Sequence, residues 1–252
     1  MNILVISTGD QYGAWAVAYS LHRNLRACGN NSKMLVQRKT VPDADVIECP
    51  LPSLLRRAWN RARTPEVLSR ADPKYHFYND SVKINYVSAG LLLKQIPFNP
   101  DAIIVLWISH FINAKNIHEL SKTTGAPVLW YLMDMAPLTG GCHYAWDCDG
   151  YQKTCGTCPA LHSSDTKDIS YQSFERKLHY IRQTNLTVVS GTSWLTKQAE
   201  QSALFTGKKI VQIMLGIDSD IFRPLDKCFG RTIFDLPMDK RIIFFGAKVI
   251  GE

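Results

Sequence analysis

Four cysteines, Cys142, Cys148, Cys155 and Cys158, fall in one stretch, DMAPLTGGCHYAWDCDGYQKTCGTCPAL, running from Asp134 to Leu161. Their spacing is C-x5-C-x6-C-x2-C, and only the last pair has the short separation that structural zinc knuckles use. Four thiolates at about 2.3 Å from one Zn²⁺ would cross-link a loop of roughly 20 residues, a length uncommon without internal anchoring. His143 is an alternative ligand for one of the four places. Two other readings stay open: a reduced loop packed through Tyr144, Trp146 and Tyr151, and a redox-active thiol pair. Cys28, Cys49 and Cys228 are isolated and read as small apolar residues.

Asp134 follows an apolar run, Val128 to Leu132, that reads as a strand. It therefore belongs at the carboxyl edge of a sheet, where open α/β folds bind ligands and where a carboxylate can accept a sugar hydroxyl. His110, in WISHF, and His143 are candidate partners, either catalytic or simply hydrogen-bonding. The first loop, TGDQYGAW, carries Gly9 and Gly13. Glycines there permit a tight turn and let amides at a helix start face a phosphate, although an ordinary strand-to-helix turn has the same composition. The loop is not GxGxxG, and the second strand ends in Gln37-Arg38-Lys39 where a dinucleotide site needs an acidic residue. With no Tyr-x-x-x-Lys pair either, a nicotinamide oxidoreductase or epimerase is disfavoured.

These residues need a frame, and the apolar periodicity supplies one. Strands are expected over Asn2 to Ser7, Lys33 to Gln37, Ala102 to Trp107, Val128 to Leu132, Leu186 to Ser190 and Ile210 to Met214. Helices are expected over Ala14 to Cys28, Asn85 to Gln95, Asn113 to Thr124, Tyr171 to Gln183 and Ser193 to Ala203, the last with Thr192 as its N-cap. Strands alternating with helices predict an α/β fold, a Rossmann-like parallel sheet with helices on both faces and the Cys-rich loop as an insertion. Thr40 to Pro73 is Pro-punctuated and basic, and is expected to be irregular apart from an arginine-rich helix.

Hydrophobic residues make up 46% and charged residues 20%, an ordinary soluble composition, and no window approaches the roughly 20 apolar residues of a membrane span. The start, Met1-Asn2, leads directly into a strand without a secretory pattern, so a cytoplasmic location with reduced thiols is expected. A formal charge of +7 favours anionic partners. The segment from Arg56 to Arg63 combines arginines with Leu55, Trp59 and Ala62 at helical spacing, which suits either an interfacial helix on the inner face of a plasma membrane or a surface helix packed on its own domain.

The Asp134-Met135 pair after a strand, then TGGCHY, a spaced Cys148 and CGTCP, resembles the loop of family-four GT-B glycosyltransferases of the bacterial exopolysaccharide and lipopolysaccharide type. ILVISTGDQYGAW at the start, SGTSWLTKQA at Ser190 to Ala199 and LGIDSDIFRPLDK at Leu215 to Lys227 are similar to other parts of that family. The resemblance implies the acceptor-side domain over residues 1–238. It implies the start of a nucleotide-sugar domain over 239–252, with RIIFFGA (Arg241 to Ala247) as its first strand. The Glu-rich donor motif has no place here, so the expectation is an acceptor-side half, inactive alone.

The activity implied is retaining transfer of a sugar from a nucleotide-sugar donor to a glycan or lipid-linked acceptor, with no nucleic-acid partner. Asp134 and His110 would carry catalysis, and Gly9, Gly13, Thr139, Gly140, Gly141, His143 and Ser190 would line the substrate. The chain departs from the family at Met133, where many members have a histidine; methionine can neither donate nor accept usefully. The rival is a non-catalytic, zinc-stabilised α/β module that holds a glycan, lipid or protein.

Overall fold

The structure, a computed structural model, describes residues 1–11, 13–49, 70–77 and 87–244. The arginine-rich segment around Trp59 lies outside the described residues. Within them the chain forms two compact units, Met1–Leu215 and Gly216–Glu252.

The first unit is an α/β domain on a single seven-stranded sheet. Its strands are β1 (Asn2–Gly9), β2 (Asn31–Arg38), β3 (Val46–Glu48), β4 (Ala102–Val105), β5 (Val128–Leu132), β6 (Leu186–Ser190) and β7 (Lys209–Gln212). All pairings are parallel, in the order β3-β2-β1-β4-β5-β6-β7. The helices are α1 (Gly13–Ala27), α2 (Ala89–Lys94), α3 (Ala114–Thr124), α4 (Ile169–Gln183) and α5 (Ser193–Gln201).

A parallel strand inside such a sheet is buried on both faces, which is why β1 reads as the unbroken apolar run Ile3 to Ile6. Alternation then splits that run between two cores. Leu4 and Ile6 join Leu35, Ile103, Val128, Trp130 and Val188 beneath α2 to α5. Ile3 and Val5 join Met34, Val36, Tyr131 and Val189, and α1 covers that second side through Ala18, Leu21 and Leu25.

Helix boundaries follow side-chain caps. Asn113 accepts from the amides of Lys115 and Asn116 to start α3, and Gly125, at φ 74°, closes it. Asp168 starts α4 two residues earlier than periodicity suggests, because its carboxylate captures the amides of Ser170 and Tyr171. Helix α2 begins only after its cap, Ser88, and helix α5 stops at Gln201, where Ser202 turns to cap a following 3-10 turn. The unexpected element is β3. Three residues in an Asp- and Pro-rich stretch carry too short an apolar pattern to register, and β3 forms because β2 offers it an edge.

In the second unit, α6 (Lys227–Ile233) is capped by Asp226, which accepts from the Phe229 amide at 2.7 Å. The strand expected from Arg241 is not formed over 241–244, and the rest of it lies outside the described residues. No described strand in that unit is available to pair with it. No helix among the described residues is long and apolar enough to cross a membrane.

Two measurements check this packing. A Cβ on Gly9 would stand 2.6 Å from the Trp15 ring. Gly9→Ala is therefore expected to cost about 1–3 kcal/mol in urea unfolding, and the loss should shrink when Trp15→Leu makes room. His22 on α1 is buried against Ser32, its Nδ1 2.8 Å from the hydroxyl. Burial lowers its pKa below the ordinary 6.5, and of the charges around it Asp43 and Asp45 oppose the shift while Arg26 and Lys33 add to it. Above about pH 6.5 neither folded nor unfolded chain protonates this ring; as pH falls below that value the unfolded chain binds the proton first and stability drops. Urea midpoints between about pH 7 and pH 5 should fall less steeply in His22→Gln than in the parent.

Candidate functional site

The crossovers leaving β1 and β4 go to opposite sides, β2 on one and β5 on the other, so a crevice opens between the carboxyl ends of β1 and β4. Its walls are stitched together by backbone. The Thr8 amide donates to Trp107 O at 2.8 Å, and the Thr8 hydroxyl donates to Ser109 O at 3.0 Å. Trp15 and Trp107 meet across the junction with ring centroids 5.8 Å apart.

Gly9 lies at the end of β1 and is required by the closeness of Trp15. Gly13 opens α1 at φ 50°, a left-handed conformation that glycine adopts without strain, and space beside its Cα is open. The first turn of α1 carries no acidic side chain of its own. Between the two glycines sits a residue that motif reading passed over. Asp10 is buried and accepts from Thr40 N at 2.8 Å, Thr40 Oγ1 at 2.6 Å and Val41 N at 3.1 Å, tying the first loop to the segment after β2. A carboxylate in a glycine loop was its only signal.

His110 follows β4, is exposed, and takes φ 67°. Its carbonyl accepts from Gln37 Nε2 at 3.0 Å, which sets it toward the β2 side of the crevice. Asp134 stands beyond β5, on the other side of β4. It is 4% exposed; Oδ1 accepts from the Ala136 amide at 2.7 Å, while Oδ2 accepts no hydrogen bond among the described residues. Nδ1 of His143 lies 3.1 Å from that Oδ2. His143 arrives from the Cys-rich loop. Its carbonyl accepts from the Met135 amide at 2.9 Å, its own amide donates to Tyr75 O at 3.0 Å, and its ring meets Tyr144 edge-on with centroids 4.8 Å apart. A cavity of about 10 Å³, on the order of one water, adjoins Asp134 between the ends of β4 and β5. The two candidate histidines are thus divided, His143 beside the carboxylate and His110 over the switch point.

The remaining candidates are bonded within the loop or at the head of α5. Thr139 Oγ1 donates to Cys142 O at 2.9 Å and accepts from the Gly141 amide at 3.1 Å. Gly140 is pressed so tightly on α4 that a Cβ would stand 2.5 Å from Ser170 O, and Gly141 adopts φ 151°. Ser190 is fully buried, its hydroxyl donating to Thr192 O at 3.0 Å and 2.9 Å from Thr196 Oγ1. The loop's aromatics divide as well. Tyr151 is buried and bonded to Gln198, whereas Tyr144 and Trp146 are exposed.

Cys142, Cys148, Cys155 and Cys158 line one mainly apolar cavity of about 20 Å³. His143 is not among its walls. A hydrogen bond from the Cys142 thiol holds Cys158 down to about 7, assisted by Ser170 and the amides of Leu161 and Ala160 against the effect of burial. The same bond, then burial, pushes Cys142 up; burial raises Cys148 and brings Cys155 to about 12. Lys177, another residue the motifs did not reveal, is buried on α4 and donates to Ala136 O at 2.7 Å and Thr139 O at 3.2 Å. Its signal was a charge on the apolar stripe of Phe174 and Ile181.

No protein-family model matches the chain, and no curated protein matches it. Function therefore rests on the residues of the rim. Removing the Asp10 carboxylate leaves two amides and a hydroxyl to find water. Asp10→Ala is expected to lower stability by about 1–3 kcal/mol and to speed hydrogen exchange at the Thr40 and Val41 amides.

Proposed function

We propose that this chain is the acceptor-side domain of a GT-B-type glycosyltransferase, moving a sugar from a nucleotide-sugar donor to a hydroxyl of a glycan or lipid-linked glycan. The observation that carries the reading is the Asp134 carboxylate. One oxygen is fixed by the Ala136 amide, and the other, buried at the carboxyl edge of β5, stands 3.1 Å from Nδ1 of the His143 ring. A carboxylate paired with an imidazole at the carboxyl edge of a parallel sheet suits a sugar hydroxyl, which can donate to the carboxylate or exchange hydrogen bonds with the ring.

His143 answers the question posed by Met133. It reaches the same carboxylate from the loop rather than from the strand, and so takes over the position beside the aspartate that the resembled family gives to a histidine. The crevice between β1 and β4 supplies the second requirement. Gly13 and the amides of the first turn of α1 suit a diphosphate, and the net charge of +7 attracts one. In this reading Asp134 orients the acceptor hydroxyl while the α1 amides offset charge on the departing nucleotide, so catalysis rests on positioning and electrostatics.

Asp134→Asn is the informative change, because its Oδ1 keeps the bond to Ala136 while the charge is lost. Saturation-transfer NMR with short oligosaccharides is expected to detect binding by the parent chain. Binding should weaken about 10–100-fold in the variant at an unchanged urea midpoint. Equal binding by parent and variant, or none by the parent, overturns the proposal. Bound oligosaccharide without any transfer from UDP- or GDP-linked hexoses selects the non-catalytic glycan-binding module instead.

A further inference from the structure

We propose that Cys142, Cys148, Cys155 and Cys158 bind one Zn²⁺ as a tetrathiolate, a structural site that fixes the loop between β5 and α4. This stands apart from the sugar-transfer reading, since neither Asp134 nor His143 lines the thiol cavity.

The first argument is convergence. Residues separated by up to sixteen positions all present their side chains to one small cavity of about 20 Å³. Cys142 and Cys158 are buried and Cys148 and Cys155 half-buried beside that cavity. Four sulfurs at about 2.3 Å from a tetrahedral zinc stand about 3.8 Å from one another, a separation close to that of hydrogen-bonded thiols. As placed, no group of three or more His, Cys, Asp or Glu side chains among the described residues could hold a metal ion, so binding requires the thiols to turn inward around that shared cavity.

The second argument is the shell around the sulfurs. The Gly140 amide donates to Cys155 Sγ at 3.2 Å. Donors aimed at sulfur stabilise thiolate, the form that ligates metal. Each thiol gives its proton to solvent as its sulfur takes the ion, so Zn²⁺ and four thiols yield a centre of net charge −2 and four protons. Lys177, buried beneath the loop and within electrostatic reach of Cys155, supplies a compensating positive charge.

The third argument is backbone. Between Cys155 and Cys158, Gly156 has φ 135° and Thr157 φ 47°, so the chain doubles back and both sulfurs face the same side. A Cβ at Gly156 would stand 2.2 Å from Thr166 O. The turn is held from outside by Asp168, which accepts from the Cys158 amide at 2.9 Å, while Cys142 is held separately by its bridge to Phe77. The loop is otherwise short of regular structure; Leu138, Ala145 and Tyr151 anchor it in the main core, and Cys142, Cys158, Ala160 and Leu161 form a small cluster of their own.

The test uses the full chain, purified without chelator and analysed for metal by plasma mass spectrometry. About one zinc per chain is expected, with four of the seven cysteines unreactive toward a thiol reagent until a mercurial or chelator releases the metal. Chelation should lower the Tm by about 5–10 °C, and Co²⁺ in place of zinc should give the intense visible bands of a tetrahedral thiolate centre. Cys155→Ser and Cys158→Ser should each reduce bound zinc at least about fivefold, while Cys28→Ser and Cys228→Ser, at exposed positions, leave it unchanged. If a serine variant fails to fold, the metal content and cobalt spectrum of the parent chain decide. Less than about 0.2 zinc per chain after reconstitution, with a Tm indifferent to chelator, overturns the proposal. So does a Cys155 to Cys158 disulfide found by mass spectrometry in the native protein, which would mark a redox pair instead.

Discussion

Because every strand of the sheet runs the same way, every strand-to-helix loop of the first unit leaves from one edge. That single constraint gathers Gly9, Asp10, His110, Asp134 and the start of the Cys-rich loop on a common rim, although more than a hundred residues separate the first from the last. The parallel arrangement in turn survives only with both faces covered, and the alternation within β1, β2, β5 and β6 feeds the two cores from the same strands. A rim built this way is rigid below and irregular above, the combination that binding sites require.

The irregular part is held by charged groups acting on backbone as well as by apolar packing. Asp10 collects amides from the segment after β2, and Asp168 collects those at the head of α4. Lys177 binds the carbonyls of the turn that follows Asp134. Each is buried, so each bond is stronger than it would be in water and each loss would leave polar groups stranded. Cys142 is the immediate neighbour of His143, so whatever fixes that cysteine also sets the distance between the imidazole and Asp134. The thiol cluster and the rim are thereby linked by one peptide bond, while occupying separate pockets.

Much of the fold could be read directly from residue pattern. The runs at Ile3 to Ile6, Ile103 to Leu106 and Val128 to Leu132 have the uninterrupted apolar character that only a doubly covered strand tolerates, and Thr192 capped its helix as its position suggested. Element ends shifted where a side chain overruled periodicity, as Asp168 did for α4. β3 escaped notice because its three residues are strand only by virtue of a neighbour far away in sequence. The site was legible in its parts and not in its assembly. Asp134, His143 and the four cysteines could be chosen by type and spacing. The choice of His143 over His110 as the partner of Asp134 depends on how the loop folds back through Tyr75 and Met135, which spacing does not encode. Thr139, Gly140 and Gly141 shape the loop and Ser190 the head of α5, engagements that residue type and spacing do not reveal.

The ring pair of Trp15 and Trp107 has a practical side. Both indoles are half-buried at the mouth of the crevice, one on the helix that begins at Gly13 and the other on the segment leading to His110. Indole emission follows the polarity of its surroundings, so the molecule carries an intrinsic optical gauge at the place where its two halves of sheet diverge. With the chain's other four tryptophans replaced, a change of polarity at that cleft can be followed by fluorescence without attaching a label.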